Sequence, residues 1–308
     1  MQTAFISHPD TLSHMMDGHH PESPARISAI KDRLIASHLY DYLQTHDAPV
    51  ATDEQLTRVH TPAYVRHIRN IAPPAGVVHL DQDTAMAPMT LSAALHAAGA
   101  VVLGVDLVVA GKTQNAFCCV RPPGHHAGKE RAAGFCIFNN VAVGAAHALS
   151  VHGLERIAIV DFDVHHGDGT EDIFRDDPRV MLCSTFQHPL YPYNGADSRT
   201  ERMINVPLPA GTDGSAFRAA VEKEFAPALE EFAPQMVFVS AGFDAHRNDP
   251  LAELNLVRND YIWVTEFIKK VAHKHAKNRV VSTLEGGYEL HAVADGAEAH
   301  IRSLAGLI

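Results

Sequence analysis

The sequence predicts an α/β fold built on a parallel sheet. Three observations predict it. Short β-type segments recur along the chain, nearly all of them are continuous apolar runs without period-2 alternation, and helical segments separate most of them. A strand apolar on both faces is one that helices cover on both sides. Strand–helix alternation is the pattern of a sheet closed by crossover helices. No Ser/Gly linker, repeat or low-complexity tract interrupts the 308 residues, so residues 1–308 read as one domain.

In chain order, the expected strands are the apolar runs TAFIS (3–7), AFCCV (116–120), RIAIVDFD (156–163), VMLCST (180–185), MVFVSA (236–241) and RVVSTLE (279–285). The expected helices are 23–38, 62–70, 90–110, 139–151, 169–174, 215–232, 259–276 and 287–307. The segment from Leu91 to Gly111 is apolar enough to suggest a membrane span. His96 and Asp106 interrupt it and small residues dominate, so it reads as a buried helix, with Pro88 and Thr90 marking its start and Gly111 its end.

Composition narrows the function. Hydrophobic residues make up 46% and charged residues 20%, which is globular. The net charge is −11 with no basic run, which argues against direct nucleic-acid binding. Cys118, Cys119, Cys136 and Cys183 form no CxxC pair and suit buried free thiols. The start MQTAFISHPD lacks the basic and apolar regions of a signal peptide. A cytoplasmic protein off the membrane is expected, and an oligomer is compatible with the sequence.

Histidine is unusually frequent, with 22 residues, several in pairs. His19-His20 reads as a solvent-exposed pair. His165-His166 lies in DFDVHHGDG, straight after an apolar strand. In extended chain Asp161, Asp163 and His165 share parity, so their side chains leave on one side. Two carboxylates and an imidazole suit Zn²⁺, Fe²⁺ or Mn²⁺. A helix-capping loop is the plain alternative, with Asp168 as the N-cap, but capping explains one carboxylate rather than three. Asp244 follows another apolar strand in SAGFDAHRNDP and completes an O/N/O set with Asp163 and His165; alone it reads as a turn residue, as Asp249 does. Such a set leaves a position open for water. His125 and His126 sit on the stiff loop RPPGHHAG and could act as base and acid, with Asp161 and Asp168 setting their tautomers. Tyr288 in LEGGYEL could donate a hydrogen bond to an oxyanion, or simply pack at a helix start. In parallel sheets, ligands bind at the carboxyl ends of strands, where all four loops lie.

RPPGHHA, GFCIFNN, DFDVHHGDGT, SAGFDAHRNDP and EGGY, in this order, resemble the histone deacetylase superfamily, whose members include acetylpolyamine amidohydrolases and acetoin-utilisation proteins. HHPESPARI near the start is similar to the family's first loop and helix, so the resemblance spans about residues 7–290. It implies an arginase-like fold with a parallel sheet of about eight strands. It implies Asp163, His165 and Asp244 as Zn²⁺ ligands, with Fe²⁺ or Co²⁺ as alternative metals. It implies His125 and His126 as the acid/base pair, backed by Asp161 and Asp168, and Tyr288 as the carbonyl-polarising group. Gly134 and Phe135 would line an acyl-lysine tunnel, with Tyr191 opposite Phe135, Gly287 beside Tyr288, Leu251 at the rim and Arg26 at the foot. K⁺ is implied at Asp161, Asp163, His165, Ser184 and Thr185, and again at Phe174, Asp177, Val180 and Arg202.

These residues lead to a zinc-dependent deacylase acting on N-acyl-lysine or a related acylated amine. The alternatives are an acetylpolyamine amidohydrolase, a ureohydrolase and a non-catalytic acyl-ligand binder. Polyamine-selective relatives carry Glu where Leu251 stands, which favours acyl-lysine; nearby Glu253 is the residue that could substitute.

Overall fold

The computed structural model describes every residue except Met1, Asp17 and His19. Eight strands form the main sheet: β1 (Thr3–Ser7), β2 (Leu43–Asp47), β5 (Asn115–Cys118), β6 (Ile157–Asp161), β7 (Val180–Gln187), β8 (Met203–Leu208), β9 (Met236–Ala241) and β10 (Val280–Leu284). A separate antiparallel pair, β3 (Val78–His79) and β4 (Ala85–Met86), lies outside it. The sheet order is β2-β1-β5-β10-β9-β6-β7-β8, and every neighbouring pair is parallel.

The helices are α1 (Ala25–Ala36), the short α2 (Asp53–Leu56), α3 (Pro62–Ile71), α4 (Thr90–Val109), α5 (Asn140–Ser150), α6 (Asp168–Phe174), α7 (Gly214–Phe232), α8 (Arg258–His275) and α9 (Leu290–Leu304). Alternate strand residues divide between two cores. Ala4, Ile6, Ala116, Ile157, Ile159 and Phe238 face one side with α4 and α5. Phe5, Phe117, Ala158, Val160, Val237 and Val239 face the other with α1, α7, α8 and α9. This two-sided cover is why the strands read as unbroken apolar runs. α4, the one described helix long and apolar enough to cross a membrane, is mostly buried in the first core.

Both edge strands were absent from the expected set. β2 is LQTHD, half exposed, and β8 contains Pro207; edges tolerate polar residues and proline that the interior excludes. The last helix also starts later than expected. Gly287 has φ of +118° and the Glu289 side chain caps α9, so Gly287 and Tyr288 lie in the loop before it.

The strands preceding the four motif loops are β5, β10, β9 and β6, which are consecutive in the sheet. Their carboxyl ends therefore place residues from 121 to 288 at one edge.

Candidate active site

Asp163, His165 and Asp244 come together, with one ligand atom from each within 4.8 Å of the others. Of the three His/Asp groups with this property among the described residues, it alone is fully buried. His165 Nδ1 lies 3.0 Å from Asp163 Oδ1 and 3.2 Å from Asp244 Oδ2. Backbone N–H groups orient the carboxylates: Val164 and His165 donate to Asp244 Oδ1 and Asp163 Oδ1, each at 2.9 Å, and Gly286 donates to Asp163 Oδ2 at 2.7 Å. A Cβ at Gly286 would stand 2.0 Å from Asp244 Oδ2 and 2.7 Å from Asp163 Oδ2, so only glycine lets the two oxygens converge there.

Burial and mutual charge shift the titration of this trio. Burial and then the Asp163 charge push the Asp244 carboxyl up to about 7. Burial works against a charged His165, but its carboxylate partners prevail and raise it to about 10. Two buried carboxylates with one imidazole between them fit a divalent metal by donor type.

His125 Nδ1 meets Asp161 Oδ2 at 3.0 Å, and His126 Nδ1 meets Asp168 Oδ1 at 2.7 Å. The two rings are 4.1 Å apart. Burial opposes charge on both, yet Asp161 and Asp163 carry His125 well above its ordinary value. His126 is pushed down to about 4 by burial and by the neighbouring His125 charge. The environments of the two rings thus push them in opposite directions, His125 toward and His126 away from the charged form. Asp168 is not the helix cap expected of it. Gly167 occupies that position, and the Asp168 oxygens go to His126 and, at 2.6 Å, to Arg131, an ion pair the sequence reading missed.

A cavity of about 210 Å³ opens onto these groups, lined by Asp83, His126, Gly134, Phe135, His165, Leu190, Tyr191, Tyr193, Leu251 and Tyr288. Gly134 and Phe135 both have positive φ, +52° and +69°. A Cβ at Gly134 would be 2.4 Å from the His126 ring, so glycine is required where the wall meets His126. Phe135 packs edge-on to Tyr288 at 5.9 Å, and Tyr191 packs edge-on to His126 at 5.0 Å. His20 is not simply exposed: its ring sits 4.6 Å from Phe135, while His19 lies outside the described residues. Leu251 lines the cavity and Glu253 does not; the latter is exposed, with its N–H held by Gln187 Oε1 at 2.8 Å.

Tyr288 lies with Arg26 5.1 Å from its ring centroid. Burial and Asp244 push the phenol well above its ordinary value, which keeps it an O–H donor. Arg26 is fully buried; it donates to Gly287 O at 2.6 Å, to the Glu285 carbonyl and to Glu22 Oε1 at 3.1 Å. Asp249 forms the expected turn, accepting the Leu251 N–H, and also takes the Tyr288 N–H.

The residues expected around K⁺ divide in two. Asp161 and Ser184 are register partners on β6 and β7, and Thr185 follows. In the turn from α6 to β7, the Phe174 and Asp177 carbonyls accept the N–H groups of Asp177 and Val180. The Arg202 carbonyl accepts the Leu182 N–H, and the Arg202 guanidinium lies 5.0 Å from the Phe232 ring.

Comparison with known proteins points to one family. The family profile described as histone deacetylase domain matches residues 20–304. A histone deacetylase-like amidohydrolase of Pseudomonas aeruginosa is 38% identical, covering 94% of this chain and 77% of that protein. The human polyamine deacetylase HDAC10 is 34% identical, covering 99% of this chain and 48% of that protein. The solved structure of the HDA15 HD domain superposes with a TM-score of 0.92 at 31% identity, covering 99% of this chain and 88% of that one.

Proposed function

The chain belongs to the histone deacetylase family, with its arginase-like α/β fold, and from that premise we propose that it is a zinc-dependent deacylase of N-acyl-lysine or a closely related acylated amine. The observation that carries the reading is the buried Asp163–His165–Asp244 trio, whose His165 lines the same cavity as His126 and Tyr288.

Asp163, His165 and Asp244 would hold the zinc ion, which would supply Lewis acidity and a more acidic water. The protein does the rest. Phe135, Tyr191, Leu190 and Leu251 give the cavity apolar walls that suit a methylene stem. His126, neutral and oriented by Asp168, takes the proton from the attacking water. His125, held charged by Asp161, stabilises developing negative charge and protonates the departing amine. Tyr288 donates its hydroxyl hydrogen to the oxyanion formed as the amide carbonyl becomes tetrahedral. Collapse releases the carboxylate and the free amine. K⁺ at the Asp161–Ser184 end of β6 and β7 is part of this reading, as is a cytoplasmic location, which suits four free, buried cysteines.

Acetylpolyamine hydrolysis is the second reading, favoured by the likeness to a polyamine deacetylase. Leu251 in the cavity wall argues against it, because an apolar side chain there offers an extra ammonium no partner and leaves Asp83 as the one carboxylate among the lining residues. The deciding experiment is turnover of acyl-lysine peptides, acetylspermidine and acetylputrescine by the metal-loaded protein. Acyl-lysine peptides are expected to show the higher kcat/KM, and Leu251→Glu to narrow the gap. A wild-type preference for acetylpolyamines would replace this reading with the second one.

A further inference from the structure

Glu285 has no part in the mechanism above, yet it is a fully buried carboxylate directly after β10. Its Oε2 accepts two consecutive backbone N–H groups, Gly124 at 2.7 Å and His125 at 3.2 Å. Its Oε1 is buried with no hydrogen-bond partner among the described residues. Burying a carboxylate is costly, and leaving one of its oxygens unpaired adds to that cost. Packing alone would be better served by an apolar side chain.

What the carboxylate joins gives the reason. The Glu285 backbone is fixed at both ends, its N–H on the Ala241 carbonyl at 3.0 Å and its carbonyl on Arg26. The next three residues each hold another piece of the site. Gly286 donates to Asp163, the Gly287 carbonyl accepts from Arg26, and Tyr288 donates to Asp249. Through Glu285, the loop carrying His125 and His126 is referenced to the same four residues that carry the phenol. The link is short, since a glutamate side chain with both ends fixed allows little play. Reaction rates are sensitive to this placement, for a misplacement of about 1 Å costs about 100-fold.

We propose that Glu285 is a positioning residue that sets His125 and His126 against Tyr288 by holding the Gly124 and His125 N–H groups. The inference rests on the deacylase reading above. It attributes the effect to hydrogen-bond geometry rather than to charge, so Gln should replace Glu and Asp, one methylene shorter, should not.

The test compares E285Q, E285D and E285A in the metal-loaded protein. E285Q should retain kcat within about threefold, while E285D and E285A should lose about 10–100-fold in kcat with little change in KM. A second readout needs no turnover: the downfield proton resonance of His125 Nδ1–H on Asp161, identified by its loss in His125→Ala. It should persist in E285Q and broaden or vanish in E285D and E285A. If E285A does not fold, E285D and E285Q decide the matter. Wild-type kcat and an unshifted resonance in E285D would overturn the proposal, as would equal impairment of E285Q and E285D. Should the wild-type protein show no deacylase turnover, the functional reading falls, and the resonance still decides the placement of His125.

Discussion

Asp249 Oδ2 accepts the Tyr288 N–H at 2.7 Å, and its Oδ1 accepts the Leu251 N–H at 3.0 Å. One buried side chain therefore ties together two residues of the cavity wall, Leu251 and Tyr288.

Asp249→Ala should free both. A fall in kcat of about 10–100-fold is expected, the range for losing an orienting partner beside a metal site. KM for peptide substrates should rise as Leu251 moves. Steady-state kinetics check this; an unaltered kcat would show that the Tyr288 loop holds its place without Asp249.

Asp163→Ala and Asp244→Ala should each abolish metal binding together with turnover, because a three-ligand site has none to spare. Metal content after dialysis gives the answer. A full equivalent of metal retained by Asp244→Ala would remove that residue from the ligand set.

On the proposed mechanism, in which the hydroxyl acts chiefly on the oxyanion, Tyr288→Phe should reduce kcat by about 100–1000-fold while leaving KM nearly unchanged. Near-normal kcat in this variant would assign the polarising role elsewhere.

Glu22 links stability to pH. Burial alone would raise its carboxyl, but Arg121 and His14 hold it well below the usual carboxylate range. Arg121 bonds both Glu22 oxygens, the Oε2 contact at 2.6 Å, and Arg26 adds a third ion pair. A depressed folded pKa means stability present above the unfolded value, about 4.3, and lost as pH falls through the folded value. Glu22→Gln leaves two buried guanidinium groups short of a counter-charge and should cost about 3–5 kcal/mol at neutral pH. The difference in Tm between wild type and variant should shrink as the pH is lowered below about 4. A difference independent of pH would rule out this linkage.

The interior of the sheet was legible in the sequence because covered strands are apolar throughout, and the four loops were legible because ionisable residues at strand ends are conspicuous. What escaped depended on contacts between distant segments. Arg131 and Thr84 are ordinary loop residues until the fold sets one on Asp168 and the other under the Phe135 N–H at 3.0 Å. Asp83, Leu190 and Tyr193 line the cavity without a local motif to mark them. Asp168 was placed in the right neighbourhood with one role too many, because a carboxylate at a helix start looks like a cap until its partners are seen.

The order of strands in the sheet differs from their order in the chain, and this bears on how the protein is made. β9 and β10, synthesised late, occupy the centre of the sheet between β5 and β6. Until they emerge, the first strands and the β6–β8 group have no shared neighbour to join them. Pairing across such separations is slow, because loop closure must precede the contacts that reward it. Shortening the chain from its C-terminus into β10 would thus split the sheet rather than trim an edge, and Tyr288, the last of the site residues in the chain, could take its place only after the two halves had been joined.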